Sequence, residues 1–351
     1  MNKIKAAIIG LRHLHPRSYM AHFKMIEDIE VVAVAEANES IRNQFVRDFD
    51  VHGYSHWTEL FEKEKIDLAV IFLPHIQCPG AALDAIDRGI NVMIEKPMTV
   101  DSASAQKIVD QAGIKNVIVT TPYVWRYHPV VKDIKELIEA GILGQVIGCT
   151  GRCAAGRLQR YIDGNAEWML DAKQSGGGPM YNLGVHWIDL FNWLLGSSVK
   201  SAFGTNVKVN PVYNIEDNSY AILTYENGTV LNLDISYTVP EAYPHGRDLF
   251  IGIRGTCGVI SWSPAYEGEK DELFICSDHE LFQGAPVQRR SYEITPVSGY
   301  SGIMGLHYLK DVVEAVRDKK PAPISGEDGV EVLKIVEAIY KSAEKKSIIY
   351  I

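Results

Sequence analysis

Residues Ile8 to Ser18 read IIGLRHLHPRS: an apolar run, one glycine, then Arg12, His13 and His15 ahead of Pro16. The apolar run predicts a buried strand and the glycine a tight turn. Proline suits the first position of a helix, where its missing N–H would have had no partner anyway. A helix start of this kind offers unpaired N–H groups and a positive partial charge, a natural seat for a pyrophosphate. The dinucleotide fingerprint G-x-G-x-x-G would place glycines at 10, 12 and 15, and only Gly10 is present. A nucleotide-binding turn, a metal site on two histidines and a plain strand-to-helix connection are the three readings to separate.

The surrounding sequence separates them in part. KAAIIG, EVVAVAE, IDLAVIFLP, INVMIEKP and NVIVTTP are apolar, β-branched bursts within the first 122 residues. Between them lie stretches with helical spacing, such as PRSYMAHFKMIED and DSASAQKIVDQAG. Strands apolar on both faces and joined by helices predict a doubly wound parallel sheet. Such a sheet binds ligands at the carboxyl ends of its strands. Glu36 closes the second burst, where a carboxylate accepts hydrogen bonds from the ribose hydroxyls of NAD and repels the extra phosphate of NADP. This context favours a nucleotide turn. His13 and His15, like His52 and His56, have no carboxylate or thiol at a recognisable ligand spacing in the sequence, so no metal is expected.

Composition narrows the partners. The 351 residues are 46% hydrophobic and 23% charged, with a net charge of -9 and no run of Lys or Arg. Nucleic acid and anionic membranes are therefore not expected as partners. Five cysteines without paired ligand spacing predict neither a disulfide framework nor a zinc module, which suits a cytoplasmic location. No segment has the length of a membrane span, and none reads as a targeting signal.

After residue 145 the pattern changes. GQVIGCTGR, VKSAFGTNVKV and NSYAILTYENGTVLNLDISYTV read as longer strands, and Asn227-Gly228 is a hairpin signal. RDLFIGIRGTCGVISW predicts a second hairpin, and two helices are expected near 303–318 and 327–345. The chain thus divides into a Rossmann domain, 1–122, and an α+β domain, 123–351, with a large, mostly antiparallel sheet.

Two segments carry candidate chemistry. In VMIEKP, residues 92–97, the Lys96 ammonium cannot rest inside an apolar sheet and is expected at the strand's carboxyl end, as a donor to a substrate oxygen. In GGGPMYNLGVHWIDLFNWLLG a helix would align Asn182, His186 and Asp189 as one polar stripe. His186 is then a candidate proton acceptor oriented by Asn182 or Asp189. Glycines 176–178 would allow a close approach or a sharp turn just before it. A solvent-facing lysine and a satisfied core histidine are the simpler readings of the same residues.

AAIIG, VVAVAE, LPHIQCPGAALDAIDRGINVMIEKP, WRYHP, GGGPMYNLGVHWIDL and SGEDGVEVLKIVEAIYKSA together resemble the glucose-fructose oxidoreductase, inositol dehydrogenase and rhizopine-catabolism (Gfo/Idh/MocA) family over nearly the whole chain. The resemblance implies a nicotinamide cofactor, hydride transfer at a carbinol carbon of a sugar or polyol, and homodimers or homotetramers formed through the C-terminal sheet. It implies cofactor contacts from Gly10, Arg12, His13, Leu14, Glu36, Leu73, Pro74, His75, Glu95 and Lys96. It makes Lys96 and His186 the catalytic pair, with Asn182 where the family has an aspartate. An amide can orient a partner but cannot take a proton. Cys78 stands where many members have a histidine. Arg126, Trp168, Asp189 and His245, together with Asn182 and His186, are the expected substrate contacts, with Tyr243 a weaker candidate. NAD is expected over NADP because of Glu36. An NAD-dependent glycosidase working by transient oxidation, and a nucleotide-binding regulator with weakened catalysis, stay open as other functions.

Overall fold

A computed structural model describes residues 3–265 and 269–351. The chain forms two compact units. The first comprises 1–124, 159–176 and 297–333, and the second 125–158, 177–296 and 334–351. The first crossing lies at Val124, two residues beyond the expected boundary. Two later segments nevertheless return to the first unit, so the division is discontinuous. Periodicity reports which residues of an element are buried and carries no information about which core they enter.

The first unit holds β1 (Ile4–Ile9), β2 (Ile29–Ala35), β3 (His52–Tyr54), β4 (Leu68–Ile71), β5 (Asn91–Ile94) and β6 (Val119–Thr120). They form one sheet in the order β3-β2-β1-β4-β5-β6, and every pairing is parallel. This is the doubly wound dinucleotide-binding order, whose switch point falls between β1 and β4. Ala6 to Ile9 and Leu68 to Ile71 are buried, as strands covered on both faces must be. The edge strand β3 is only three residues long, too short for a periodic signal in the sequence. Helices α1 (Pro16–Met25), α2 (Glu39–Phe49), α3 (Trp57–Lys63), α4 (Cys78–Asp87) and α5 (Ser102–Lys115) alternate with the strands. Asp101 caps α5 by accepting from Ser104 N at 2.7 Å, and Pro16 opens α1 without such a cap. The later helix Gly302–Asp318 also belongs to this unit.

The second unit holds β7 (Val146–Ala155), β8 (Val199–Val207), β9 (Asn218–Tyr225), β10 (Val230–Ser236), β11 (Arg247–Gly255), β12 (Gly258–Trp262), β13 (Lys270–Ser277), β14 (Val287–Glu293) and β15 (Ile349–Tyr350). Their order is β14-β13-β12-β11-β7-β10-β9-β8-β15. All pairs are antiparallel except β7 with β10. Both expected hairpins form, β9 with β10 and β11 with β12, and Gly228 adopts φ +86° in the first turn. The helix Val185–Leu195 packs on β7 so closely that a Cβ at Gly151 would overlap Trp187 and Phe191.

Candidate active site

In the first unit the candidate residues collect at the carboxyl ends of β1, β2, β4 and β5. Gly10 leaves β1 at φ +89°, a conformation that L side chains rarely adopt. A Cβ there would also stand 2.9 Å from Leu73 Cδ2 and 3.1 Å from Leu73 N. Glu36 closes the turn from the neighbouring strand: Oε2 accepts from Leu11 N and Oε1 from Asn38 N, each at 2.8 Å. Each oxygen keeps a further lone pair, so the carboxylate can also accept from ribose hydroxyls. Arg42 Nη1 donates to the Glu36 carbonyl at 2.6 Å.

The rest of the turn departs from a glycine loop in a definite way. Arg12 projects outward, half exposed, with Nη2 3.6 Å from Glu167 Oε2. His13 is buried, and its Nδ1 accepts from His15 N at 3.2 Å. With His15 N thus engaged and Pro16 lacking an N–H, two donors that a pyrophosphate would ordinarily use at this helix start are missing.

A polar cluster lies beneath this turn. His15 Nδ1 is 3.3 Å from Glu95 Oε2, with 16% of the His15 side chain and 3% of the Glu95 side chain exposed. The rings of His13 and His15 meet edge-on at 4.5 Å. Burial pulls the pKa values of both histidines well below the ordinary value and pushes that of Glu95 up. His75, also buried, donates from Nδ1 to Ser175 O at 2.7 Å, and burial holds its pKa at about 4. His13 Nε2 and His75 Nε2 lack a hydrogen-bond partner among the described residues, whereas the Glu95 carboxylate accepts from the Lys96 backbone N–H and faces His15 Nδ1. Lys96, the next residue, is 3% exposed and joined to Pro97 by a cis peptide bond.

Trp168 reaches the cluster because 159–176 returns to this unit. Its Nε1 donates to Arg12 O at 2.5 Å, and its ring stands edge-on to His75 at 4.8 Å. Tyr300, which the sequence did not single out, stacks near His15 at 4.1 Å and on Tyr19 at 4.9 Å. Its only signal was an aromatic residue inside the glycine- and serine-rich VSGYSG. Leu73 and Pro74 follow β4, and Cys78 opens α4, where burial raises its thiol pKa beyond the usual range.

In the second unit, Met180–Gly184 forms a π-helical turn that leads into the helix Val185–Leu195. Single π turns recur at functional sites because they alter the rotation of the side chains that follow. Asn182, His186 and Asp189 are all buried. Asn182 Nδ2 donates to Tyr237 Oη at 2.9 Å. Arg126 and Asp189, expected to hold substrate hydroxyls separately, form a two-pronged pair, Nε to Oδ2 at 2.9 Å and Nη2 to Oδ1 at 2.5 Å. Asp189 therefore positions Arg126. The glycine run supplies both expected features: Gly176 turns at φ +91°, and a Cβ at Gly177 or Gly178 would overlap Tyr340 or Glu216. His245 lies exposed in a short turn before β11, at φ +53°.

A parallel sheet in this order, with a glycine turn after β1 and a carboxylate after β2, defines a dinucleotide-binding α/β unit. Residues 4–123 match the family model "Oxidoreductase family, NAD-binding Rossmann fold", and residues 135–351 match "Oxidoreductase family, C-terminal alpha/beta domain". The chain belongs to the Gfo/Idh/MocA oxidoreductase family. It is 22% identical to D-xylose 1-dehydrogenase (NADP(+)) 2 of Haloferax volcanii over 90% of both chains. It is 24% identical to levoglucosan dehydrogenase of Pseudarthrobacter phenanthrenivorans over 90% of this chain and 87% of that one. An oxidoreductase from Agrobacterium radiobacter, solved with NAD+, L-tartaric acid and magnesium, superimposes with a TM-score of 0.85 at 18% identity, covering 99% of this chain and 98% of that chain. No helix among the described residues is long and apolar enough to cross a membrane.

Proposed function

We propose that this chain is an NAD-dependent dehydrogenase acting on a carbinol carbon of a sugar, polyol or related cyclic hydroxy compound. The observation that carries the reading is Glu36, held by two backbone amides at the end of β2 of a Rossmann sheet. A carboxylate fixed there accepts from both ribose hydroxyls and disfavours a 2′-phosphate. The named relatives that oxidise D-xylose and levoglucosan support the substrate class.

Glu36 would hold the adenosine ribose, and the turn from Gly10 to Leu14 would face the pyrophosphate. With fewer backbone donors at that turn, the Arg12 guanidinium would add side-chain charge there. Leu73, Pro74, His75 and Glu95 would line the remaining path to the nicotinamide. Bound NAD supplies the hydride acceptor. Lys96 would donate a hydrogen bond to the carbinol oxygen, favouring the charge that develops there as C–H is lost. His186 would take the hydroxyl proton, with Asn182 as an orienting amide. Trp168, Arg126 and His245 are the proposed substrate contacts.

We place assembly on the sheet of the second unit. Phe203 and Ile222, partners across β8 and β9, are 41% and 45% exposed, and Tyr220 beside them is 40% exposed. An apolar patch on a broad sheet face supports a homodimer or homotetramer formed there.

The test is a cofactor-reduction screen over inositols, aldoses, anhydrosugars and sugar acids, with calorimetry of NAD(H) and NADP(H). Turnover with NAD on one of these classes is the expected result. Failure to bind either cofactor would overturn the reading.

A further inference from the structure

We infer that the turn after β1 and the end of β5 together form a binding site for one divalent transition ion of the zinc class. The ligands are His13 Nε2, His15 Nδ1 and the Glu95 carboxylate, which goes beyond the dehydrogenase reading and does not require it.

The three residues are the described group whose histidine nitrogens and carboxylate oxygen lie within 4.8 Å of one another. Four-coordinate zinc with bonds of about 2.0–2.1 Å sets neighbouring ligand atoms about 3.3 Å apart. The separation of His15 Nδ1 from Glu95 Oε2 is 3.3 Å. One of the three separations is thus at ligand spacing, and the other two lie within 4.8 Å. Two imidazoles and one carboxylate are a donor set used by zinc enzymes that keep a coordination position open.

Hydrogen bonding points the same way. His13 is 5% and Glu95 3% exposed, yet His13 Nε2 has no hydrogen-bond partner among the described residues, and the buried Glu95 carboxylate, which accepts from the Lys96 backbone N–H, faces His15 Nδ1. Buried polar atoms are ordinarily satisfied, and a buried carboxylate beside two imidazoles, each able to present a lone pair in one tautomer, is a donor set that a cation satisfies. The partly exposed edge of His15 gives an entry path.

One contact must change on loading. His13 Nδ1 accepts from His15 N at 3.2 Å, which leaves the proton of the neutral ring on Nε2. Metal at Nε2 moves that proton to Nδ1, so this long neutral hydrogen bond is given up. The exchange predicts that binding releases little or no proton from His13 and that the turn shifts slightly on loading.

Full-length protein stripped with a chelator would be titrated with zinc by calorimetry and with cobalt(II) by visible absorption, in wild type, His15→Gln and Glu95→Gln. One equivalent is expected in wild type, with the cobalt bands of a four- or five-coordinate nitrogen and oxygen site. Because loss of an outer partner alone costs about 10–100-fold in affinity, loss of a ligand should weaken binding by at least about 100-fold. Should Glu95→Gln fail to fold by circular dichroism, the half-turn residue His15→Gln decides alone. Absence of a stoichiometric site in wild type, or equal affinity in the folded variants, would overturn the inference. Neither readout involves turnover, so the outcome stands apart from that of the dehydrogenase screen.

Discussion

Glu95 and His15, far apart in the chain, meet at the carboxyl ends of β5 and β1 with Oε2 3.3 Å from Nδ1. The place where a dinucleotide loop would carry its third glycine is thus occupied by an imidazole against a buried carboxylate. Chemistry at this end of the sheet is shaped by side chains as much as by backbone N–H groups.

Replacing Lys96 or His186 by alanine should lower kcat/KM by roughly 10²–10⁴ each, the range of a positioned proton-transfer or donor group. Steady-state kinetics on a substrate found by the screen would check this, with circular dichroism to confirm the fold. Unchanged turnover in both variants would remove the assigned roles.

Glu36→Gln keeps one acceptor oxygen and puts an amide where the other stood, opposing Leu11 N or Asn38 N. We expect NADH affinity to fall about tenfold and stability by roughly 1–3 kcal/mol, the cost of an unsatisfied buried group. Calorimetry of both cofactors would also show the preference for NAD narrowing. A variant that binds NADH as tightly as wild type would show that Glu36 serves only the turn.

Arg126→Ala should destabilise the fold by roughly 3–5 kcal/mol, because it removes a two-pronged charged partner from the Asp189 carboxylate, 1% exposed, in the second unit. Pairing it with Asp189→Asn should recover part of that loss in urea denaturation. Strict additivity of the two single changes would mean that the pair is not energetically coupled.

Stability should fall on the acid side, and His75 gives the sign. Its folded pKa of about 4 lies below the ordinary value of 6.5, because burial disfavours the charged ring. The unfolded chain therefore binds the proton first. The contribution of His75 is complete above about pH 6.5 and is lost as pH falls toward 4. Glu95 acts oppositely, since its raised pKa means that the unfolded chain ionises first as pH rises above the ordinary carboxylate range. Chemical denaturation between those limits, repeated with His75→Gln, should show a shallower acid slope in the variant. An identical slope would place the titration elsewhere.

Alternation of apolar bursts with helical spacing was enough to predict the parallel sheet, because residues 6–9 of β1, all of β4 and residues 92–94 of β5 are buried and carry no polar residue. Asn227-Gly228 predicted its hairpin for an equally local reason, the positive φ that the turn requires. Gly10, Pro16 and Glu36 were legible because turn, helix start and strand end are each set by a few adjacent residues. What depended on distant segments was not legible. The return of 159–176 and 297–333 to the first unit brings Trp168 and Tyr300 to the turn. The pairing of Arg126 with Asp189 engages two residues that the sequence assigned separately to substrate. Sequence weighed His13 and His15 against a metal and found no nearby carboxylate, and the fold supplies Glu95 from β5. Local patterns record the burial and backbone conformation of a segment, whereas the partner of a buried side chain is chosen by the packing of elements that the chain brings together only on folding.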